Sequence, residues 1–131
     1  RDQPRSRGLG DVYKRQTWET DPLGNSFGAG GLFLTLSELH KFGLFYLNKG
    51  KWNGKQILSE KWIEESTAAS DTDNYGYLFW RGKYNSYRAD GKYSQISMIL
   101  PDKNAVISMV AECRNGEELM SALYDLVCAK L

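Results

Sequence analysis

Two apolar segments joined by a proline-initiated turn constrain this chain more than any other feature. Residues 94–100 and 104–111 are rich in β-branched and apolar side chains, which favours two strands. Between them Pro101 sets φ, while Asp102 and Asn104 have side chains that bond to nearby backbone in turns. The sequence therefore predicts an antiparallel hairpin, and the remaining elements have to pack around it.

Two helices and a tight turn precede this hairpin. Thr35 and Glu38 fit a capping box, in which each side chain satisfies an orphan backbone donor. Apolar residues then recur at helical spacing over 36–47, and residues 48–50 end the helix. Asn53-Gly54 is a hairpin-turn signal, and Ser59 is placed to cap a short helix carrying Trp62, Ile63 and Ser66.

The period changes further along the chain. The aromatic run 75–80 predicts a third strand. Residues 117–131 predict a terminal helix with one apolar face, made of Leu119, Met120, Leu123, Leu126 and Val127. Helices followed by antiparallel strands and an amphipathic helix indicate an α+β fold, with the last helix packed on the sheet.

Composition excludes several classes of protein. With 41% hydrophobic residues in 131, the chain can build the core of a single domain. A formal net charge of +1 gives no clustered basic excess, so nucleic acid is not an expected partner. The longest apolar run, 105–111, is far short of the ~20 residues that span a bilayer. Cys113 and Cys128 lack metal-ligand spacing and are interpreted as small buried or half-buried residues rather than a disulfide.

Two features allow both a functional and a purely structural interpretation. The glycine-rich residues 28–31 lack the following Lys-Ser/Thr of a phosphate loop, so close backbone approach is the favoured interpretation. His40 is the only histidine and lies beside the apolar stripe of the first helix. Because no acidic partner or nucleophile is evident for it, a solvated or structural role is favoured.

The first sixteen residues do not look like part of the fold. They have no apolar periodicity, and they are read either as a solvated basic arm or as a non-native leader. Residues 6–16, SRGLGDVYKRQ, resemble the translation of a transposon-type sequencing adapter, so an artefactual, disordered segment is expected over 1–16. Genuine sequence is then expected from Thr17, with 12 basic and 14 acidic residues.

Four segments, in order, resemble the β-lactamase-related serine hydrolases, which include class C β-lactamases, penicillin-binding D,D-peptidases and related esterases. They are residues 28–43, 47–62, 75–80 and 88–106, and with their connections they cover nearly all of 17–110. The resemblance implies that residues 17–131 are the C-terminal portion of a β-lactamase/transpeptidase-like domain. In that fold an α/β domain lies beside a helical domain, with the active site in the cleft between them.

Three motifs make the active site in that family. Ser-x-x-Lys carries the nucleophile, Tyr-x-Asn supplies the general base, and Lys-Thr-Gly or His-x-Gly lies on a sheet strand. No Ser-x-x-Lys followed by Tyr-x-Asn occurs in this chain, so no catalytic residue is assigned and both motifs are expected upstream of Thr17.

The third motif has its best match at Ala89-Asp90-Gly91. The resemblance implies that the backbone N–H of Lys92 or Tyr93 helps to stabilise the oxyanion of the tetrahedral intermediate. It also implies that Gly91 lets the substrate lie along the backbone without a Cβ in its way.

This match departs from the family pattern at Ala89, where Lys or His usually stands. Arg88 is a candidate to orient a substrate carboxylate instead, although adjacent strand residues point to opposite faces. Gly30 is expected on the rim of the cleft. The alternative for residues 88–91 is a plain turn between strands.

The resulting expectation is a fragment of a serine hydrolase that acts through an acyl-enzyme on an ester, amide or β-lactam-like substrate, and that is inactive alone. It implies no metal and no cofactor, a small-molecule or peptide substrate, and the N-terminal half of the same domain as a partner. A non-catalytic module that binds cell-wall peptide or carbohydrate is the alternative. Whether the parent acts in the bacterial cytoplasm or envelope stays open.

Truncation generates the first prediction. If residues 17–131 are part of a larger domain, the sheet and the 36–47 helix expose apolar faces, and large apolar patches drive association. We expect this segment, produced alone, to aggregate or to bind a hydrophobic dye without a cooperative melt. Light scattering and thermal unfolding test this, and a monomer that melts cooperatively would contradict the truncation.

Overall fold

A computed structural model describes residues 17–28, 30–70 and 74–131. The chain divides into two compact units, Arg1–Leu39 and His40–Leu131. The adapter-like residues 6–16 lie outside the described part, so their interpretation stays a prediction, and Ala29 of the glycine-rich segment also lies outside it. Within the described part, no helix combines the length and apolarity needed to cross a membrane.

The first unit contains a small antiparallel pair and a turn. Strand β1 (Thr17–Trp18) pairs with β2 (Leu32–Phe33). The Trp18 indole N–H donates to the Phe27 carbonyl at 2.8 Å. Asp21 Oδ1 accepts from the backbone N–H of Asn25 at 2.9 Å, and its Oδ2 from the side-chain amide at 3.0 Å. These bonds, led by the one from the Asn25 side chain, lower the pKa of Asp21.

Helix α1 (Leu36–Leu47) begins and ends as its sequence predicts. The Glu38 N–H donates to Thr35 Oγ1 at 3.2 Å, and the Thr35 N–H donates to Glu38 Oε2 at 2.7 Å. Both halves of the capping box are therefore present. At the other end Lys49 and Gly50 have φ of 53° and 78°, the left-handed conformation that stops a helix.

The next two elements confirm their turn and cap signals. Strands β3 (Lys51–Trp52) and β4 (Lys55–Gln56) pair across Asn53-Gly54, whose φ values of 47° and 76° are both positive, as a two-residue hairpin turn requires. Helix α2 (Glu60–Thr67) follows, and Ser59 Oγ accepts from the Trp62 N–H at 3.1 Å.

A four-stranded antiparallel sheet forms the centre of the second unit. Its order is β5 (Trp80–Arg81), β6 (Tyr87–Gly91), β7 (Gln95–Leu100) and β8 (Ala105–Val110). The predicted hairpin is β7–β8. Its connection is a short 3₁₀ turn over Pro101–Lys103, closed by Asn104 at φ 47°. Because β7 lies between two strands and is buried on both faces, it is the least exposed strand of the sheet.

One face of the sheet carries an aromatic core. Tyr87 and Ile99 point to this face and pack with three residues from outside the sheet: Tyr46, Ile63 and Phe79. The Tyr46 and Phe79 rings lie 4.8 Å apart and tilted, and Phe79 meets Tyr87 edge to face at 5.7 Å. These are favourable aromatic geometries, and they stabilise the packing of α1 on the sheet. Ile63 packs α2 into the same cluster.

The opposite face is covered by the C-terminal helical segment. Ile96, Met98 and Leu100 pack there with Tyr124 and Cys128. Helix α3 (Gly116–Ala122) begins at Asn115, whose Oδ1 accepts from the Glu118 N–H at 3.3 Å. It widens into a π-helical turn over Leu123–Val127 and then tightens over Cys128–Lys130.

That widened turn corrects the apolar face predicted for residues 117–131. Leu126 and Val127 are 62% and 41% exposed, whereas Tyr124 and Cys128 are buried. A π-turn holds more residues than an α-turn, so the helical phase shifts and carries Cys128, not Val127, onto the sheet. Sequence periodicity assumes one pitch throughout and misses this shift.

The strand predicted over residues 75–80 is also wrong in most of its length. Only Trp80 belongs to β5, and the preceding residues reverse direction, with the Gly76 N–H donating to the Phe79 carbonyl at 2.7 Å. Phe79 is buried, whereas Tyr77 and Leu78 are 57% and 72% exposed. Burial of one ring among neighbours that face solvent therefore overrides the strand propensity of the aromatic run.

The two cysteines agree with the interpretation made for them. Both are free, Cys113 half-buried and Cys128 buried. The Cys128 thiol lies 3.9 Å from the Met98 sulfur, inside the core. Burial raises the pKa of Cys128, so its thiol stays protonated and packs as a small apolar group.

Helix α1 approaches the sheet closely at Gly43, and this generates a stability prediction. A Cβ on Gly43 would lie 2.5 Å from Val106 Cγ1 and 2.7 Å from Ser97 Oγ. We expect Gly43→Ala to destabilise the protein by about 1–3 kcal/mol, because overpacking outweighs the ~1 kcal/mol of added helix propensity. Urea unfolding of the complete protein measures the loss in its free energy of unfolding.

A matched control and a rescue define that test. Gly116→Ala adds a Cβ whose nearest neighbour is 3.8 Å away, so its stability should be unchanged or slightly raised. Val106→Ala in the Gly43→Ala background should recover part of the loss. If both glycine variants unfold alike, the close approach at Gly43 is not a constraint.

Burial of Tyr87 generates a second, pH-dependent prediction. Desolvation raises the pKa of Tyr87 to about 12, from 10.0, with a smaller effect from Tyr46. The fold thus favours the neutral phenol, and that stabilisation is complete below pH 10 and is lost as the pH rises through 12. We expect the melting temperature of the complete protein to fall between these values, with a shallower fall in Tyr87→Phe. Equal slopes in both proteins would argue against this burial.

Candidate functional site

The residues that match the third motif lie on β6 and in the turn after it. Arg88 and Asp90 pair with Met98 and Ile96 of β7, whereas Ala89 and Gly91 pair with Ser97 and Gln95. Alternation along the strand therefore sends the first pair to one face and the second pair to the other. The expectation that Arg88 and Ala89 point to opposite faces is confirmed.

Ala89 lies where the family pattern has Lys or His. Its half-buried side chain packs against the aromatic core that contains Tyr87 and Ile99. A small apolar residue suits this position, because the surrounding contacts are with other apolar groups.

Arg88 forms an ion pair with the residue two places along the same face. Its Nε donates to Asp90 Oδ2 at 2.9 Å, and the two side chains are only 16% and 24% exposed. Charge-assisted bonds of this kind are stronger than neutral ones, more so when partly buried. The structure therefore holds the Arg88 guanidinium beside Asp90.

The turn after β6 brings Lys92 and Tyr93 to the end of the sheet. The Ser94 N–H donates to the Gly91 carbonyl at 3.2 Å, and Tyr93 has φ of 64°. A bond between the first and fourth residues with positive φ at the third is the arrangement of a type II turn. The Cys113 N–H also donates to the Tyr93 carbonyl at 3.1 Å, which fixes the turn to the segment after β8.

An open cavity of about 570 Å³ is formed between this turn and the start of α3. Asp90, Gly91, Lys92 and Tyr93 line it, so the structure brings together four of the five residues predicted for substrate or oxyanion binding. The other lining residues were not predicted: Ser94, Cys113, Arg114 and Gly116. Three of these four follow β8, and no motif in the sequence connects that segment with residues 90–93.

A second open cavity, of about 430 Å³, is lined by both members of the ion pair. Asp90 borders both cavities, whereas Arg88 borders only this one, together with Trp80, Glu117 and Met120. The Arg88 guanidinium thus lies on the face of the sheet that α3 covers. Lys92 lines the first cavity, and its ammonium lies 4.9 Å from the centre of the Tyr93 ring.

Gly30 belongs to the first unit, whereas residues 88–93 belong to the second. It is exposed, its carbonyl accepts from the Trp18 indole at 3.2 Å, and open space surrounds the position that a Cβ would take. Its expected place on a cleft rim stays a prediction.

His40 has a structural partner. Its Nδ1 lies 3.1 Å from Ser108 Oγ, between α1 and the sheet. Ser108 pairs with the fully buried Ser97 on the neighbouring strand. This polar contact within the packed layers agrees with the structural interpretation of the histidine.

Tyr46-Leu47-Asn48 matches the Tyr-x-Asn pattern by itself, without a Ser-x-x-Lys before it. Tyr46 is 8% exposed and its ring lies 4.8 Å from that of Phe42. Burial raises the pKa of Tyr46, which disfavours the tyrosinate a general base would use. This triplet serves the core, and it illustrates how a three-residue pattern arises without the function.

The donor set for metals is sparse in the part of the chain that the structure describes. There, no group of three or more His, Cys, Asp or Glu side chains is arranged to hold a metal ion.

Comparisons with known proteins establish the fold. No protein-family model matches the sequence, and no curated protein matches it either. Among solved structures, the chain resembles one titled "Putative 6-aminohexanoate-dimer hydrolase from Bacillus anthracis", with a TM-score of 0.70 and 21% identity over 86% of this chain. The chain spans 33% of that protein's length. The α+β arrangement, with an antiparallel sheet and a C-terminal helix packed on it, is therefore part of a β-lactamase-like hydrolase fold, and the predicted fold class is confirmed.

Proposed function

We propose that this chain is part of a serine hydrolase that forms an acyl-enzyme with an ester, amide or β-lactam-like substrate. The observation that carries the proposal is the cavity at the end of β6, on a fold shared with a protein titled a hydrolase. The nucleophile and the general base would come from Ser-x-x-Lys and Tyr-x-Asn motifs upstream, since the chain has no Ser-x-x-Lys. Residues 17–131 alone would then be inactive.

The turn after β6 would act on the developing oxyanion. When a serine attacks the substrate carbonyl, negative charge forms on its oxygen, and fixed backbone donors stabilise that charge without reorganisation. Lys92 or Tyr93 would supply one such N–H, and the Ser94–Gly91 and Cys113–Tyr93 hydrogen bonds would hold it in place. Gly91, at the edge of the cavity, would leave room for the substrate backbone.

The surroundings of β6 favour an ester or amide over a β-lactam. Ala89 cannot bind a carboxylate, and Arg88 is engaged by Asp90. A substrate carboxylate would therefore have to compete with Asp90 for the guanidinium.

A non-catalytic binding module is the second candidate. The exposed ring of Tyr93, with the Lys92 ammonium beside it in an open cavity, supports this alternative, because such rings stack on sugars or peptide groups. The upstream sequence distinguishes the two candidates.

The deciding experiment begins with the source DNA, resequenced across the Thr17 codon without a transposon step. An upstream frame with Ser-x-x-Lys and then Tyr-x-Asn supports the hydrolase. When the complete protein is treated with a fluorophosphonate, that serine should gain the mass of one phosphonyl group as fluoride leaves. With a p-nitrophenyl ester it should gain the mass of one acyl group as p-nitrophenol leaves. A native frame in which that serine is missing favours the binding module, and persistence of SRGLGDVYKRQ refutes the adapter interpretation.

The oxyanion role predicts a specific pair of variants in the complete protein. Lys92→Pro removes the N–H at the second position of the turn, where proline is well tolerated. Lys92→Ala keeps the N–H and removes only the ammonium. If Lys92 is the donor, kcat for a p-nitrophenyl ester should fall about 10²–10³-fold in Lys92→Pro alone. Equal activity of the two variants would exclude the Lys92 N–H as that donor.

A further inference from the structure

A cavity of about 380 Å³ lies at the other end of β6 from the turn just discussed. Tyr87 begins the strand and lines this cavity, whereas Gly91 ends the strand and lines the cavity proposed for substrate. The end of α1, one side of α2 and the end of β5 contribute to its walls. Its volume is within the range of small-molecule sites.

The interior of this cavity is more buried than its rim. Tyr46, Ile63, Thr67 and Tyr87, which line it, are between 4% and 8% exposed. Residues at its edge, among them Lys49 and Glu64, face solvent. A ligand in the cavity would therefore rest on an apolar and phenolic floor, with charged groups around the opening.

The Tyr87 hydroxyl is the unusual group of this floor. Buried tyrosine hydroxyls usually find a hydrogen-bond partner. Tyr46 follows that rule, with Ser66 as its partner. For Tyr87, which is 5% exposed, no hydrogen bond to the hydroxyl occurs among the described residues. Every fully buried side-chain oxygen in that part of the chain does have a hydrogen-bond partner, so the Tyr87 oxygen is not fully buried. It follows that this hydroxyl reaches the open space of the cavity.

The ring of Tyr87 is held in place by its neighbours. Phe79 packs edge to face against it, and the Tyr46 ring centre lies 6.5 Å away. Burial raises the pKa of Tyr87 to about 12, so the hydroxyl is neutral at physiological pH and keeps a proton to donate. The cavity thus contains a fixed hydrogen-bond donor whose position does not depend on a ligand.

A guanidinium lies over the ring of Tyr87. Arg81 lines the cavity, and its Cζ lies 5.8 Å from the centre of the Tyr87 ring. Its Nη1 donates to the Thr67 carbonyl at 3.2 Å, and its Nη2 donates to the Asn85 side chain. These contacts with neutral groups position the cation without neutralising it.

We propose that this cavity binds a small monocarboxylate with an apolar body. One carboxylate oxygen would accept the Tyr87 hydroxyl proton in a hydrogen bond, and Arg81 would supply the opposite charge. The apolar body would pack on Ile63, Leu47 and Pro101, which line the same space. Arg81, whose hydrogen-bond partners are neutral groups, favours an anion over a neutral or cationic ligand, whereas Lys49 at the rim is paired with Glu60 at 3.6 Å.

This inference does not depend on the proposed hydrolase function. The two cavities have no lining residue in common, and binding at Tyr87 needs no nucleophile. Binding can therefore be measured on the complete protein whether or not it proves to be an enzyme.

The test uses 3-phenylpropanoate as the probe and 3-phenylpropanamide as its neutral counterpart. Binding is measured by ligand-observed NMR titration and calorimetry at pH 7. Tyr87→Phe removes the hydroxyl and keeps the ring, whereas Tyr84→Phe removes a hydroxyl from an exposed ring that does not line the cavity. Lys92→Ala reports on the cavity at the other end of β6. Circular dichroism confirms that each variant is folded.

We expect saturable binding of the carboxylate, about tenfold weaker in Tyr87→Phe because a hydrogen bond to a charged group is lost. Tyr84→Phe and Lys92→Ala should bind as the original chain does, and the amide should bind at least tenfold more weakly. Four results would overturn the proposal, and the first three are no saturable binding to the folded complete protein, equal affinity of Tyr87→Phe, and equal affinity for the amide. Loss of binding in Lys92→Ala alone would place the ligand in the other cavity and would also refute it.

Discussion

The burial of strand β7 on both faces is the constraint on which the rest of the second unit depends. Ile96, Met98 and Leu100 point to one side, and Ile99 and the small Ser97 to the other. A strand covered on both faces needs a layer on each side, since one covering alone would leave apolar side chains in water. The C-terminal helical segment supplies one layer, and α1 with α2 supplies the other, so the strand sets the order of the layers.

The same alternation organises the chemistry of β6. Tyr87 and Ala89 join the aromatic core, and Arg88 and Asp90 form an ion pair on the helix-covered face. Each end of the strand then opens into a separate cavity, one with the backbone of a tight turn and one with the Tyr87 phenol. A five-residue strand thus connects two sites of different chemistry, and rigid strands hold such groups more accurately than loops do.

Local signals in the sequence were sufficient wherever a single residue determines the backbone. Asn53-Gly54, Pro101 with Asn104, and the Thr35–Glu38 pair each act through their own dihedrals or their own hydrogen bonds. Prediction failed where distant packing decided the outcome. Phe79 is buried against helices α1 and α2, and the sequence of the aromatic run does not indicate this packing. The chain therefore reverses direction where a strand was expected. The match at Ala89-Asp90-Gly91 located half of the cavity, but Cys113 and Arg114 come from a segment that only the sheet brings near.

The widened turn at Leu123–Val127 has a consequence for sequence change along this helix. A π-turn is an α-helix that has accommodated one additional residue. Removal of one residue between Tyr124 and Cys128 would restore the regular pitch. Tyr124 and the cysteine now at 128 would then stay close to their present places on the sheet. The turn therefore marks the position at which this chain can lose a single residue while keeping the same contacts beneath the helix.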